Sequence, residues 1–166
     1  MLDTQALLHT LSERVRALLA ERAVVDPALV GIHTGGVWVA EYLHRALGLT
    51  TPLGRLDIAF HRDDFGRIGM HARVHPSELP FDVDGRHIVL VDDVLYTGRS
   101  VRAALDNLFA YGRPASVLLA VLVDRGGREL PIQPDAVATR IELAPGESVK
   151  LSGPEPLQLV LLPHKP

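Results

Sequence analysis

The chain has 166 residues, 47% of them hydrophobic, with no cysteine and a formal net charge of −3. That length and composition predict one domain, spanning residues 1–166, able to bury its own core, and exclude a disordered chain. The missing cysteines exclude a disulfide scaffold, cysteine zinc sites and thiol chemistry, and the slight acidity argues against a protein dedicated to nucleic acid.

Asp3, Glu13 and Arg14 interrupt any apolar run at the N-terminus, so no signal peptide is expected. No stretch approaches the ~20 apolar residues of a membrane span. A cytoplasmic protein is expected. Residues 4–22 place Leu7, Leu8, Leu11, Val15, Leu18 and Leu19 at helical spacing, with Asp3 or Thr4 as cap. Ala28 to His33 follows as a buried strand. Thr34-Gly35-Gly36 turns the chain into a helix marked by Val37, Ala40, Leu43 and Leu47 and closed by Gly48. Trp38 and Tyr42, one turn apart, are expected to pack in the core or between subunits.

Leu53 to Phe60 alternates like a strand. Phe65 to Asp84 is polar, broken by glycine and proline, and has no period. Such a stretch in a compact domain is expected to be either disordered or a functional lid. His61, His71 and His75 lack the spacing of a tight zinc site. Ser116 to Val123 is a further continuous apolar strand, with Asp124-Arg125-Gly126 at its end. Short strands are expected around Ala136-Val137-Ala138, at Val149, and from Leu157 to Leu162, the last two as an edge hairpin.

The most informative stretch lies between these. Ile88-Val89-Leu90-Val91 predicts a strand buried on both faces and closed by Asp92 and Asp93. A turn with Thr97, Gly98 and Ser100 leads into a helix on Val101, Leu105, Leu108 and Phe109, stopped by Gly112 and Pro114. Amides of the turn and helix N-terminus converge on one spot where the helix dipole favours an anion. Thr97 and Ser100 add hydroxyls, and Gly98 permits close approach. This is a phosphate cradle. The adjacent carboxylates suit the vicinal hydroxyls of a ribose, or waters on a magnesium ion. Together they suit a phosphoribosyl group.

Asp92-Asp93-Val94-Leu95-Tyr96-Thr97-Gly98-Arg99-Ser100 resembles the phosphoribosyl pyrophosphate (PRPP) motif of type I phosphoribosyltransferases. Its Leu-Tyr-Thr-Gly-Arg form is similar to the PyrR family, pyrimidine-operon regulators with uracil phosphoribosyltransferase activity. The resemblance extends through Arg113-Pro114, Leu119 to Gly126 and Arg128 to Ile132. It implies an α/β fold with a mostly parallel central sheet flanked by helices, a small hood and a mobile loop. It implies that uracil and PRPP give UMP and diphosphate with Mg2+, held at Asp92 and Asp93 largely through water and PRPP. Asp92, Asp93 and Arg62 are then the catalytic candidates. Val94, Leu95, Tyr96, Thr97, Gly98, Arg99 and Ser100, with Thr34, Gly35 and Gly36 as the pyrophosphate loop, are the PRPP and UMP candidates. Val123, Asp124 and Arg125 are the base-binding candidates. Arg62, Arg67 and Arg73 are candidate donors to the diphosphate from the loop.

Two departures matter. The family's pyrophosphate loop usually carries Thr-Arg-Gly; here Gly35 replaces the arginine, which predicts weaker diphosphate binding. Purine relatives carry an acid where this chain has Tyr96, which favours a pyrimidine substrate. The family also implies a homodimer or higher homo-oligomer, and pyrimidine-leader RNA as a possible partner. An RNA-binding regulator sensing UMP and PRPP is therefore the alternative to the enzyme. Residues 124–166 hold five basic side chains against six acidic ones, which is no basic patch by count and ranks the enzyme first.

Overall fold

The computed structural model describes residues 2–59 and 77–164. In chain order the elements are α1 (Thr4–Glu21), β1 (Ala28–Ile32), α2 (Gly35–Leu47), β2 (Gly54–Leu56), β3 (His87–Leu95), α3 (Arg99–Phe109), β4 (Ser116–Asp124), β5 (Ala136–Arg140), β6 (Ser148–Ser152) and β7 (Gln158–Leu162). The first five strands form one sheet in the order β2-β1-β3-β4-β5, parallel throughout. Helices cover both faces, which is why the strands are continuously apolar. Alternate residues of each strand serve opposite layers. Leu29, Val89 and Val91 pack with α1 and α2, whereas Val30, Ile88 and Leu90 pack with α3.

The strand order reverses between β1 and β3. In open parallel sheets that reversal leaves a crevice at the carboxyl ends of the strands. Here it falls between the Thr34-Gly35-Gly36 turn after β1 and the turn after β3.

Helix α1 starts at Asp3, whose Oδ1 accepts from the Ala6 amide at 3.0 Å. Its Leu8, Leu11, Val15 and Leu19 are buried. Arg14 Nη1 donates to the Val137 carbonyl of β5. At the helix start, buried Thr4 accepts from the Leu159 amide through Oγ1 at 2.9 Å. This bond ties α1 to the antiparallel pair β6–β7, which forms a second sheet. Val149, Leu151 and Leu159 carry that hairpin into the α1–α2 core. Trp38 and Tyr42 pack against the same core, as their spacing predicts, and the Trp38 ring lies beside Gly153.

Four expectations about the elements need correction. The strand expected over 53–60 is only Gly54–Leu56. Asp57 breaks it: its amide donates to Ser77 Oγ, and its Oδ1 accepts from the Ala59 amide, a local turn that competes with the ladder. The irregular stretch expected to run to Asp84 is fixed from Ser77 onward. Glu78 exchanges both backbone bonds with Arg55 at 2.7 and 2.8 Å, and Leu79 and Phe81 crowd Gly54. Residues 60–76, with Arg62, Arg67, Arg73, His61, His71 and His75, lie outside the described residues. Helix α3 ends at Phe109 rather than at Gly112, and Phe109 is half-exposed while Ala104 and Leu108 are buried. The hairpin β6–β7 is a sheet of its own and not an edge of the main one.

Thr4→Val keeps the side-chain volume but leaves the buried Leu159 amide without an acceptor. We expect a loss of about 1–3 kcal/mol, read by urea denaturation. An unchanged midpoint would mean that this bond does not hold the hairpin.

Candidate active site

Strand β3 does not end at Val91. It continues through Asp92 and Asp93 to Leu95, and Asp92 pairs with Val121, Val94 with Val123 and Leu95 with Asp124. The carboxylates therefore sit within the ladder and not beyond it. Local bonds make that tolerable: Asp92 Oδ1 accepts from the Asp93 amide at 2.9 Å, and Asp93 Oδ1 accepts from the Val94 amide at 2.8 Å. Asp92 is buried; Asp93 is partly exposed. Val94 and Leu95 pack their side chains into the core, leaving only backbone for a ligand.

The Thr34-Gly35-Gly36 turn meets these carboxylates directly. A β-carbon at Gly35 would stand 2.0 Å from Asp93 Oδ2 and 2.6 Å from its carboxyl carbon. One at Gly36 would stand 2.6 Å from the Val91 carbonyl oxygen. Helix α2 thus opens at Gly35 itself, with Thr34 as a cap that makes no side-chain bond. This gives the glycine a steric reason. Any side chain at position 35, arginine included, would have to displace Asp93.

After β3, Tyr96 and Thr97 lead to Gly98, whose φ of 93° is closed to most other residues. Thr97 Oγ1 accepts from the Arg99 amide at 3.1 Å, and α3 begins. Ser100 follows in its first turn. Residues 126–132 brace this turn from outside. The Glu129 and Leu130 amides both donate to the Thr97 carbonyl at 2.9 and 3.1 Å. Arg128 Nη1 donates to the Tyr96 carbonyl at 2.9 Å, and its Nε to the Ile132 carbonyl at 2.7 Å. Arg99 Nε donates to Glu129 Oε1 at 2.9 Å. From the sequence, the segment ending in Arg128 is expected to roof the base pocket; its brace on the turn after β3, and that of Glu129, come from contacts that only the fold makes.

At the third corner, β4 brings Asp124 beside the end of β3. Its Oδ2 accepts from Arg128 Nη2 at 2.7 Å and lies 3.7 Å from Arg140 Nε; Oδ1 accepts from the Gly126 amide at 3.0 Å. Burial alone would raise the Asp124 pKa, but the Arg128 hydrogen bond, the Gly126 amide and the charges of Arg128 and Arg140 together hold it below the ordinary aspartate value. Arg125 lays its guanidinium 3.9 Å from the centre of the Tyr96 ring, and its Nη2 donates to the Glu147 carbonyl at 3.3 Å. A β-carbon at Gly127 would lie 2.4 Å from the same ring, so the ring is held on that side too. Val123 is fully buried and offers only backbone. A cleft of about 470 Å³ opens among Asp124, Arg125, Gly126, Arg140, Ile141 and Glu142. The structure thus brings together the strand-end candidates of β1, β3 and β4, while Arg62 lies outside the described residues. Among the described residues no three His, Asp or Glu side chains cluster as a metal site, and no helix is long and apolar enough to cross a membrane.

Asp124 ties Arg128 and Arg140 together, so Asp124→Asn should cost about 3 kcal/mol by leaving buried charge unpaired. Because its folded pKa is depressed, its contribution is complete above the unfolded value of about 3.9 and is lost as pH falls through the lower folded value. Acid titrations of stability should therefore converge for wild type and variant below that range. Parallel curves would exclude Asp124 as the source.

Residues 5–151 match the phosphoribosyl transferase domain family. The chain is 60% identical to the Bifunctional protein PyrR of Nitrosococcus oceani, over 95% of this chain and 90% of the relative. It is 55% identical to that of Pseudomonas fluorescens, over 94% and 93%. Among solved structures, the hypoxanthine phosphoribosyl transferase of Trypanosoma cruzi superposes with a TM-score of 0.67 at 19% identity, covering 87% of this chain and 78% of that one. A hypoxanthine-guanine phosphoribosyltransferase of Bacillus anthracis gives 0.68 at 13%, covering 89% and 84%. At such identities these two speak for the fold alone. With its carboxylate-bearing β3, its glycine-opened helices and these matches, the chain belongs to the phosphoribosyl transferase family, in its PyrR branch.

Proposed function

We propose that this protein is a cytoplasmic uracil phosphoribosyltransferase of the PyrR type, assembled as a homodimer or larger homo-oligomer, that joins PRPP to N1 of uracil and releases diphosphate. The observation that carries the reading is the β3–α3 unit. It sets two carboxylates within one strand and, five residues after Asp93, a Gly98-opened helix N-terminus. A ribose diol and a 5′-phosphate fit that pair of features side by side.

The chain's residues divide the work. Thr97, Gly98, Arg99 and Ser100 receive the 5′-phosphate, with first-turn amides supplying donors and the α3 dipole favouring its charge. The brace from Glu129 and Leu130 fixes the carbonyl face of this turn before substrate arrives, so little ordering cost falls on binding. Asp92 and Asp93 receive the ribose hydroxyls. The Gly35 and Gly36 amides at the start of α2 face the leaving diphosphate. Arg125, stacked on Tyr96, walls the base cleft, and backbone at Val123 and Asp124 meets the carbonyl and N–H edge of uracil. Catalysis is then positioning and electrostatic stabilisation of charge that builds on ribose and diphosphate.

Magnesium fits this donor set. Carboxylate oxygens are its preferred protein ligands, and Asp93 Oδ2 makes no hydrogen bond among the described residues. When bound, Mg2+ neutralises charge on the diphosphate and ribose oxygens. Asp92 and Asp93 are the residues that would hold it, mainly through its water shell.

A PRPP-dependent assay across uracil, adenine, guanine, hypoxanthine and orotate tests the substrate. We expect turnover with uracil alone; turnover with a purine and none with uracil would overturn the assignment. Asp92→Asn and Asp93→Asn should each lower turnover at least tenfold, about 1.4 kcal/mol of transition-state stabilisation. Wild-type rates in both would remove these residues from the mechanism.

The relatives' name, Bifunctional protein PyrR, favours a second reading: regulation of pyrimidine genes by RNA binding that responds to UMP and PRPP. Arginines that could contribute to such a surface are partly engaged within the fold, Arg14 with Val137, Arg125 with Tyr96 and Glu147, and Arg128 with Asp124. Affinity for a pyrimidine-leader RNA should therefore be weak and fall only shallowly with salt, since each phosphate neutralised adds roughly 0.7 to the log–log slope. Tight binding strengthened by UMP, with a steep slope, would make the regulator the primary function.

A further inference from the structure

Arg125 and Arg128 both follow the end of β4, yet they are held in different ways. Arg128 uses Nε, Nη1 and Nη2 in hydrogen bonds, to the Ile132 and Tyr96 carbonyls, Asp124 and Gln133. Acceptors fix its orientation. Arg125 has no such set. Among the described residues its guanidinium makes one hydrogen bond, from Nη2 to the Glu147 carbonyl, and at 3.3 Å that bond is long. Its Nε is buried with no acceptor among the described residues. One bond through one nitrogen leaves a planar fork free to turn about that point. What stops it is the Tyr96 ring, whose centre lies 3.9 Å from the guanidinium carbon. A ring face attracts a cation and also keeps the plane laid on it from tilting.

The ring's own place is kept by Gly127, where a β-carbon would lie 2.4 Å from Tyr96 Cε1. The ring is half-exposed and is not among the residues that line the cleft beside Asp124, whereas Arg125 is. We propose that Tyr96 is a positioning residue for the base: its ring face sets the Arg125 guanidinium at the cleft wall, where the donors that Glu147 leaves free meet an oxygen of the base. This rests on the reading above that the cleft takes the base. A guanidinium donates and cannot accept, so it suits a carbonyl oxygen, as on uracil, and not an amino group. The role uses the face of the ring and not its hydroxyl. Arg128 bonds to the Tyr96 backbone, so a change of the Tyr96 side chain leaves the brace on the turn after β3 in place. The effect of the ring therefore falls on the base and spares the ribose phosphate.

The test is calorimetric titration of wild type, Tyr96→Leu and Tyr96→Phe with UMP and, separately, with ribose 5-phosphate. Tyr96→Leu should weaken UMP binding at least about fivefold and leave ribose 5-phosphate binding within about twofold of wild type. Tyr96→Phe keeps the ring face and should recover most of the loss. Equal weakening toward both ligands, unchanged UMP affinity in Tyr96→Leu, no recovery in Tyr96→Phe, or no UMP binding to wild type would overturn the proposal. Proton NMR checks the stack itself. The Arg125 Nε–H resonance, assigned by its loss in Arg125→Lys, should lie upfield in wild type and Tyr96→Phe and return to the ordinary arginine position in Tyr96→Leu. An ordinary position in wild type would show that the ring does not hold the guanidinium. The expected binding pattern without uracil turnover would sink the catalytic assignment and leave this inference standing. Uracil turnover with UMP affinity unchanged in Tyr96→Leu would do the reverse.

Discussion

Three glycines draw α2 against the middle of the sheet, and the site exists because of that approach. At Gly31 a β-carbon would lie 2.7 Å from Val37 Cα; at Gly36 it would strike the backbone of Val91 and Asp92; at Gly35 it would strike Asp93. Interiors are packed too tightly to absorb such overlaps by small shifts. So the spacing between β1, the start of α2 and β3 is set by the absence of three side chains. The crevice at the strand-order reversal thereby brings the starts of two helices and two carboxylates close together. Hydrophobic burial of Val39, Ala40 and Leu43 holds α2 on the sheet, and the glycines set how close it comes.

Much of this was legible beforehand. Four apolar residues followed by Asp92-Asp93 and Thr97-Gly98-Arg99-Ser100 located the strand, the turn and the helix because each signal is local: β-branched residues, a glycine that must take a left-handed φ, an apolar repeat. The α1 repeat and its Asp3 cap were legible for the same reason. Less legible was whatever depends on contact across the fold. Nothing near Gly35 in the chain says that Asp93 will press on it 58 residues later. The absence of arginine there predicts weaker diphosphate binding, and the fold adds a local contact: a side chain at position 35 would meet the Asp93 carboxylate. Asp57 could not be seen to end β2, because its partner Ser77 arrives only after the intervening segment. Phe109 fits a helical repeat but sits where α3 has already passed the sheet.

The turn after β3 divides shape from rigidity. Its own residues shape it, yet its rigidity comes from Arg128, Glu129 and Leu130, which bond to the carbonyls of Tyr96 and Thr97. Arg128 spans two corners, since the same guanidinium that holds Tyr96 also holds Asp124. The cleft beside Asp124 and the turn after β3 therefore share one structural element. A change that loosens Asp124 is transmitted to that turn through a single side chain.

The bond from Arg14 to the Val137 carbonyl has a further consequence. Val137 lies on β5, an outer strand of the main sheet, and Glu78 occupies Arg55 on β2, the outer strand at the opposite side. An exposed outer strand offers a row of unpaired amides and carbonyls to any other chain, which is the usual start of strand-by-strand aggregation. Here one flank is guarded by a helix-borne guanidinium and the other by a short returning segment. Each outer strand of the five-stranded apolar sheet thus has at least one of its outward backbone groups already taken, which leaves it a poorer template for sideways growth.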